Sequence, residues 1–86
     1  MSLTAEALKK KILDSLECTH VTVNDISAGR CGDSFEAVVV AEEFEGKGRL
    51  VQHRRVQGVL GEELKLIHAF TLKTYTPQKW KDLNSN

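Results

Sequence analysis

The sequence lacks the features of a membrane protein and of a disulfide-rich secreted domain. No apolar run approaches the roughly 18 residues that a membrane-spanning helix needs, and the N-terminus has neither the apolar stretch nor the cleavage site of a secretory signal. Only two cysteines, Cys18 and Cys31, occur among the 86 residues. Because small secreted domains usually rely on several disulfides, we expect a protein of a reducing compartment, the cytoplasm and also the nucleus, without a membrane partner.

An excess of one charge and the common catalytic motifs are also missing. Twelve Lys and Arg balance 12 Asp and Glu, so any nucleic-acid binding would need a local cationic patch. The chain has no nucleophile elbow, phosphate-binding glycine fingerprint, HExxH pair or paired CxxC. A domain of this length also has little with which to enclose a substrate. We therefore expect a protein that is not an enzyme. A thiol enzyme that uses Cys31 is the weakest of the functional hypotheses.

The apolar residues that are present predict helices in a single domain over residues 1–86. The first helix carries apolar residues at four-residue spacing, Leu8, Ile12 and Leu16. A last short helix starts at Thr76-Pro77, where threonine can cap and proline occupies the first helical position. Trp80 can fold back from this helix onto the domain. The polar tail over residues 82–86 is expected to be disordered.

A long helix is predicted over residues 49–64. Its apolar stripe consists of Leu50, Val56, Leu60 and Leu64. His53 lies on or beside this stripe, so it is either a hydrogen-bonded structural histidine or a metal ligand. Gly58 and Gly61 indicate either close packing against a neighbour or fraying of the last turns. The sequence does not decide between these two explanations.

Three segments are typical of strands, at residues 20–26, 35–40 and about 66–74. The first two form a hairpin, whose connection over residues 27–34 holds two glycines and should be exposed and mobile. Because the third strand follows a helix, a right-handed crossover makes it parallel to the second. We predict an α+β fold of order αββααβ, with a mixed three-stranded sheet and helices packed on one face.

Cys31 on the hairpin loop and His68 at the start of the third strand are candidate metal ligands. The predicted topology lets this loop reach the start of that strand, so a thiolate and an imidazole would face the same edge. Two protein ligands are too few for a closed zinc site, so a partner would have to complete the site. The spacing alone leaves open that Cys31 is an incidental loop thiol and His68 a structural histidine, and His53 is a weaker candidate ligand.

A cationic segment offers a second candidate surface. It consists of Lys47, Arg49, Arg54 and Arg55, with no acidic residue at positions 46–56. Such a helix could follow a phosphate backbone. No aromatic residues interleave with the cations, so a merely solvated face is the alternative.

The sequence resembles the BolA-like family in several blocks that keep their relative spacing. These are Phe44-Glu45-Gly46-Lys47, Leu50, His53-Arg54, Val56, Leu60, Glu62-Glu63, Ile67-His68-Ala69, Lys73-Thr74, Thr76-Pro77 and Trp80. The likeness is greatest to the small eukaryotic cytosolic and nuclear type with a cysteine in the first hairpin loop. The resemblance implies a fold similar to a type II KH domain. The glycine loop with which KH domains grip RNA is not evident here, so this shape does not predict RNA binding.

The resemblance also implies a partner and a cofactor. The expected partner is a monothiol (CGFS) glutaredoxin, and the expected function is iron-sulfur cluster trafficking and iron homeostasis. A [2Fe-2S] cluster would be shared, with Cys31 and His68 as ligands here and glutathione supplied on the partner side, so the isolated apo protein would hold none. Some bacterial relatives suggest the alternative, a nucleic-acid-binding transcriptional regulator. Whether the apo protein is a monomer or a homodimer is left open.

Overall fold

The computed structural model describes residues 3–29 and 32–84. The strands in this part of the chain are β1 (Cys18–Asp25), β2 (Ser34–Ala41) and β3 (Ala69–Tyr75). The helices are α1 (Ala5–Ser15), α2 (Arg49–Val59), α3 (Gly61–Leu64) and α4 (Pro77–Asn84), with a 3-10 turn at Glu42–Phe44. None of these helices is long and apolar enough to cross a bilayer.

Helix α1 forms as its pattern predicts. The Thr4 side chain accepts a hydrogen bond from the Ala7 N–H at 3.1 Å, which satisfies a donor that the helix itself leaves free. Leu8, Ile12 and Leu16 are buried. The core also includes residues from the sheet, the 3-10 turn and α2, namely Val21, Phe35, Val39, Ala41, Phe44, Val56 and Leu60.

The sheet has the predicted mixed topology, in the order β1-β2-β3. β1 and β2 pair antiparallel, and β2 and β3 pair parallel with Ser34 opposite Ala69. β1 begins at Cys18 and not at His20, and β3 begins at Ala69 and not at Leu66. The parallel pairing matters for the site because it puts the starts of β2 and β3 side by side.

The predicted long helix is interrupted. α2 ends at Val59, Leu60 turns the chain, and α3 follows. A β-carbon added at Gly58 or Gly61 would meet no atom within 4 Å, so close packing does not explain these glycines. The alternative explanation, a weak end of the helix, agrees with the break.

The predicted stripe of α2 is wrong at its first position. Leu50 is 62% exposed, whereas Gln52 is 9% exposed. Gln52 can be buried because its amide is fully used in hydrogen bonds to the 3-10 turn, the following loop and β3.

Helix α4 covers the face of the sheet opposite to the core. Val40 is directly opposite His20 on β1 and Tyr75 on β3, so the three side chains share one face. The Trp80 ring stacks on the His20 ring with centroids 4.8 Å apart, and lies 5.6 Å from the Tyr75 ring. Val40 is fully buried. Helices α1 and α2 pack on the core face of the sheet, as predicted. Helix α4 covers part of the opposite face.

The start of α4 is as predicted and its end is not. The Thr76 hydroxyl accepts from the Lys79 N–H at 3.2 Å, and Pro77 is the first helical residue. The helix continues to Asn84, so residues 82–84, expected to be disordered, are helical. Residues 85 and 86 lie outside the described residues.

Candidate functional site

The loop between β1 and β2 is organised by two side chains at its base. The Asp25 carboxylate accepts from the backbone N–H of Ser27 at 2.9 Å and of Gly32 at 2.8 Å. The Ser27 hydroxyl accepts from the N–H groups of Asp33 at 2.9 Å and Ser34 at 2.7 Å. Hydrogen bonds from the side chain and backbone of Ser27 and from Gly32 lower the pKa of Asp25. The described flanks of this loop are therefore tied to the strands and not loosely held.

His68 lies directly beside this loop. Its backbone N–H donates to the Asp33 carbonyl oxygen at 2.7 Å, immediately before β3 begins. The residue is exposed, and its imidazole has no hydrogen-bond partner among the described residues. Cys31 lies outside the described residues, and it is two positions before Asp33 in the chain.

Apolar side chains are exposed near this end of the sheet. Ile26 is 50% exposed and its N–H donates to the Ser34 carbonyl at 2.9 Å. Leu66, two positions before His68, is 70% exposed. Ile26 and Leu66 are therefore the exposed large apolar residues that lie near the start of β3, whereas Leu13, Leu50, Val51 and Leu83 are exposed on other elements.

His53 is placed in a different part of the molecule. It is half-buried on α2 and lines a groove with Leu72–Tyr75 of β3. Leu72 is four positions from His68, or about 13 Å along a strand. Over residues 3–29 and 32–84, no group of three or more His, Cys, Asp or Glu side chains could hold a metal ion.

Cys18 does not resemble a reactive thiol. It is half-buried and packs against the core at the start of β1. Burial, and then the negative charge of Glu43, raise the pKa of its thiol. The neutral thiol is therefore favoured, in agreement with a structural role.

Comparison with known proteins decides the family. The family model described as BolA-like protein matches residues 12–79. The chain belongs to the BolA-like family. Among the relatives of this BolA-like chain, human BolA-like protein 2 is 49% identical over 80 residues, which cover 93% of each chain. The DNA-binding transcriptional regulator BolA of Vibrio cholerae is 41% identical over 85 residues, covering 92% of this chain and 80% of the relative.

The BolA fold is also shown by solved structures. The crystal structure of a Bol-like protein from Babesia bovis has a TM-score of 0.87 and 34% identity, covering 99% of this chain and 98% of that one. The predicted α+β fold is thereby confirmed.

The cationic residues of this BolA-like chain do not form one patch. Arg55 Nε contacts a Glu43 carboxylate oxygen at 3.1 Å, and Lys47 Nζ donates to the Glu43 carbonyl at 2.7 Å. Arg49 lies instead at the groove between α2 and β3. Arg54, five positions after Arg49, is about 140° away around the helix. The four residues are therefore divided among different surfaces.

Three structural features were not predicted from the sequence. Asp25 and Ser27 organise the loop, and the spacing Asp-x-Ser after a strand is a signal for such side-chain-to-backbone turns. Gln52 joins α2 to β3, and the helical pattern of the sequence does not indicate this contact. His20 supports α4 through its stacking on Trp80, a contact between separate elements that no local pattern indicates.

Proposed function

We propose that this chain is a non-enzymatic adaptor in iron-sulfur cluster trafficking and iron regulation. It shares a [2Fe-2S] cluster with a monothiol glutaredoxin, in the cytoplasm and the nucleus. Cys31 and His68 are the ligands on this side, and the glutaredoxin cysteine and its bound glutathione are the ligands on the other. Membership of the BolA-like family supports the proposal.

The hydrogen bond between His68 and Asp33 is the observation that carries the proposal. At 2.7 Å it ties the start of β3 to the hairpin loop. Cys31 is two positions before Asp33 in the sequence, which supports pairing it with His68 in this proposal. A thiolate and an imidazole are both donors that iron-sulfur clusters accept.

The chemistry of this donor pair favours a sensor or carrier. Replacing a thiolate ligand with a neutral imidazole makes a [2Fe-2S] cluster less negative and raises its reduction potential. The His68 side chain stands on an exposed edge, so this chain presents its ligands without enclosing them. Ile26 and Leu66 offer apolar surface on which the partner can dock.

Mixed ligation can be tested by assembling the complex from this protein, a CGFS glutaredoxin, iron, sulfide and glutathione. We expect His68→Ala and Cys31→Ser each to change the visible absorption and circular dichroism of the assembled complex. His53→Ala is a matched control, because it removes an imidazole that lies on α2 beside Leu72–Tyr75 and away from the start of β3, and it should leave the spectra unchanged. Spectra unaltered by His68→Ala would refute the ligand assignment.

A nucleic-acid-binding regulator is the second candidate function. It is favoured by the name of the Vibrio cholerae relative and by Arg54, which is exposed and has no carboxylate partner among the described residues. Titration with labelled duplex DNA at several salt concentrations tests this function. Weaker binding by Arg54→Glu at low salt would support it, and no binding by the unmodified protein at low salt would exclude it.

A further inference from the structure

A groove between α2, β3 and the start of α4 is rich in positive charge. It consists of two adjoining cavities that share Arg49, Thr74 and Tyr75. The first is also lined by His53, Leu72 and Lys73, and the second by Gln52, Thr76 and Lys79. We call the two cavities together the basic groove. No carboxylate lines it. Arg49, Lys73 and Lys79 are exposed and have no salt bridge to any described residue. In a chain with no net charge, such segregation of unpaired cations favours an anionic ligand.

The helix termini add to this positive potential. Arg49 is the first residue of α2, whose N-cap Gly48 offers no side chain and whose first turn has no acidic residue. The first turn of α4, which contains Lys79, has no acidic residue either. The positive ends of both helix dipoles therefore lie at the groove without a neutralising charge from their own first turns.

The floor of the basic groove is an open strand edge. Within the described part of the chain, β3 forms one edge of the sheet. Four consecutive residues, Leu72–Tyr75, line the groove, although neighbouring side chains on a strand point to opposite faces. The groove must therefore follow the edge of β3, where alternate backbone N–H and C=O groups point away from β2.

The groove is held open by a fixed contact. Thr74 Oγ1 donates to Gln52 Oε1 at 2.7 Å, and Gln52 Nε2 donates to the Lys47 carbonyl at 2.7 Å. These bonds set the distance between α2 and β3 before any ligand binds. A ligand would therefore meet a preformed site, which lowers the entropic cost of binding.

We infer that the basic groove binds an extended acidic peptide segment of a protein partner, which adds a strand to the edge of β3. Backbone hydrogen bonds to β3 would provide the register, and Arg49, Lys73 and Lys79 would pair with its carboxylates. A nucleic acid fits less well because it cannot continue a backbone ladder. The Tyr75 ring already packs on Trp80 with centroids 5.6 Å apart, and the His53 ring is half-buried, so neither offers a fully exposed platform for a base.

This surface is separate from the proposed cluster ligands. Lys73 is five positions after His68, or about 16 Å along the strand. Peptide binding to the isolated apo protein needs neither a glutaredoxin nor a cluster. Failure of one proposal therefore leaves the other standing.

The test uses a fluorescent peptide of alternating glutamate and valine and the full-length apo protein. We expect binding that weakens about tenfold in Lys73→Glu and in Arg49→Glu, because attraction is replaced by repulsion. Lys81→Glu is a matched control, since it makes the same charge change on α4 at an exposed residue that does not line the groove. Its affinity should change less than twofold, and far-ultraviolet circular dichroism should show all three variants folded.

Amide hydrogen exchange distinguishes strand addition from simple charge attraction. Bound peptide should slow exchange at alternate residues of β3. Equal affinity of Lys73→Glu and Lys81→Glu would overturn the inference, as would binding without slowed exchange in β3. It would also be overturned if a single-stranded oligonucleotide or inorganic phosphate shifted these amides while the peptide did not.

Discussion

Replacing Gln52 with methionine would remove the hydrogen bonds that join α2 to the preceding turn and to β3. The amide nitrogen donates to Lys47 O at 2.7 Å and to Phe44 O at 3.3 Å, and the amide oxygen accepts from Thr74 Oγ1 at 2.7 Å. Methionine has similar volume and helix propensity, so packing and helix formation change little. The substitution therefore isolates the polar contribution of this one side chain.

The expected loss of folding stability in Gln52→Met follows from these distances. Two of the bonds are short and contribute about 1 kcal/mol each, while the 3.3 Å bond contributes less. Because the site is buried, unpaired partners add to the loss, for a total of about 2 to 3 kcal/mol. A chain of this size is stable by roughly 4 to 13 kcal/mol. The melting temperature should fall by roughly 10 to 20 °C.

Urea and thermal unfolding of Gln52→Met and Gln57→Met provide the measurement. Gln57 lies on the same helix and is exposed, so its replacement should change stability by less than about 0.5 kcal/mol. Equal unfolding midpoints for the two variants would refute the claim that Gln52 fixes α2 against β3. In that case, the preformed width of the basic groove would need another explanation.

Three further predictions concern residues of α2, α3 and α4. Hydrogen bonds from Lys11 Nζ to both Glu63 carboxylate oxygens, at 2.7 and 2.8 Å, lower the pKa of Glu63. The contribution of this ion pair to folding stability is therefore present above about pH 4, and it is lost as the pH falls through the lowered pKa. Glu63→Gln should therefore destabilise the folded protein by up to about 1 kcal/mol at pH 7 and not at pH 2. The control Glu62→Gln should have little effect, because the Glu62 side chain is 83% exposed. An equal loss of stability in Glu63→Gln at both pH values would contradict this prediction. Gly58→Ala should stabilise by about 0.5 to 1 kcal/mol in urea unfolding, because a β-carbon there meets nothing within 4 Å; a loss would show an unrecognised contact. Trp80→Ala should lower the free energy of unfolding by about 2 kcal/mol, because stacking on His20 is lost and the sheet face becomes exposed. Leu83→Ala, at a half-exposed residue of the same helix, should change it very little. Equal melting temperatures for the two variants would show that α4 is not held by Trp80.

The fold could be predicted from periodicity wherever one side of an element is buried. α1 shows its stripe at Leu8, Ile12 and Leu16 because one face of this helix is core and the other is solvent. The parallel pairing of β2 and β3 followed from the intervening helix and the handedness of crossovers. These rules concern the backbone and hydrophobic burial, which a single sequence displays directly.

Contacts between polar side chains of separate elements could not be predicted in this way. Leu50 was placed in the core, and Gln52 occupies it instead, because Lys47, Phe44 and Thr74 happen to offer matching donors and acceptors. Such a match depends on distances across the fold that no local pattern encodes. For the candidate ligands, the spacing left His68 either structural or metal-binding, and the family resemblance favoured the second interpretation.

The parallel pairing of β3 explains why a loop residue and a distant strand residue come together at one edge. In a parallel pair, the segments that precede both strands lie at the same end of the sheet. The hairpin loop precedes β2, and His68 precedes β3, so the Asp33 carbonyl can reach the His68 N–H. An antiparallel β3 would instead place Tyr75 and the start of α4 beside the loop. The crossover through α2 therefore creates the proposed cluster edge, and the same helix forms one wall of the basic groove further along β3. Because β3 has only one neighbouring strand in the described residues, the two proposals together assign two partners to one edge strand. The proposed side-chain ligand lies at its start, and the proposed backbone hydrogen bonds form near its end.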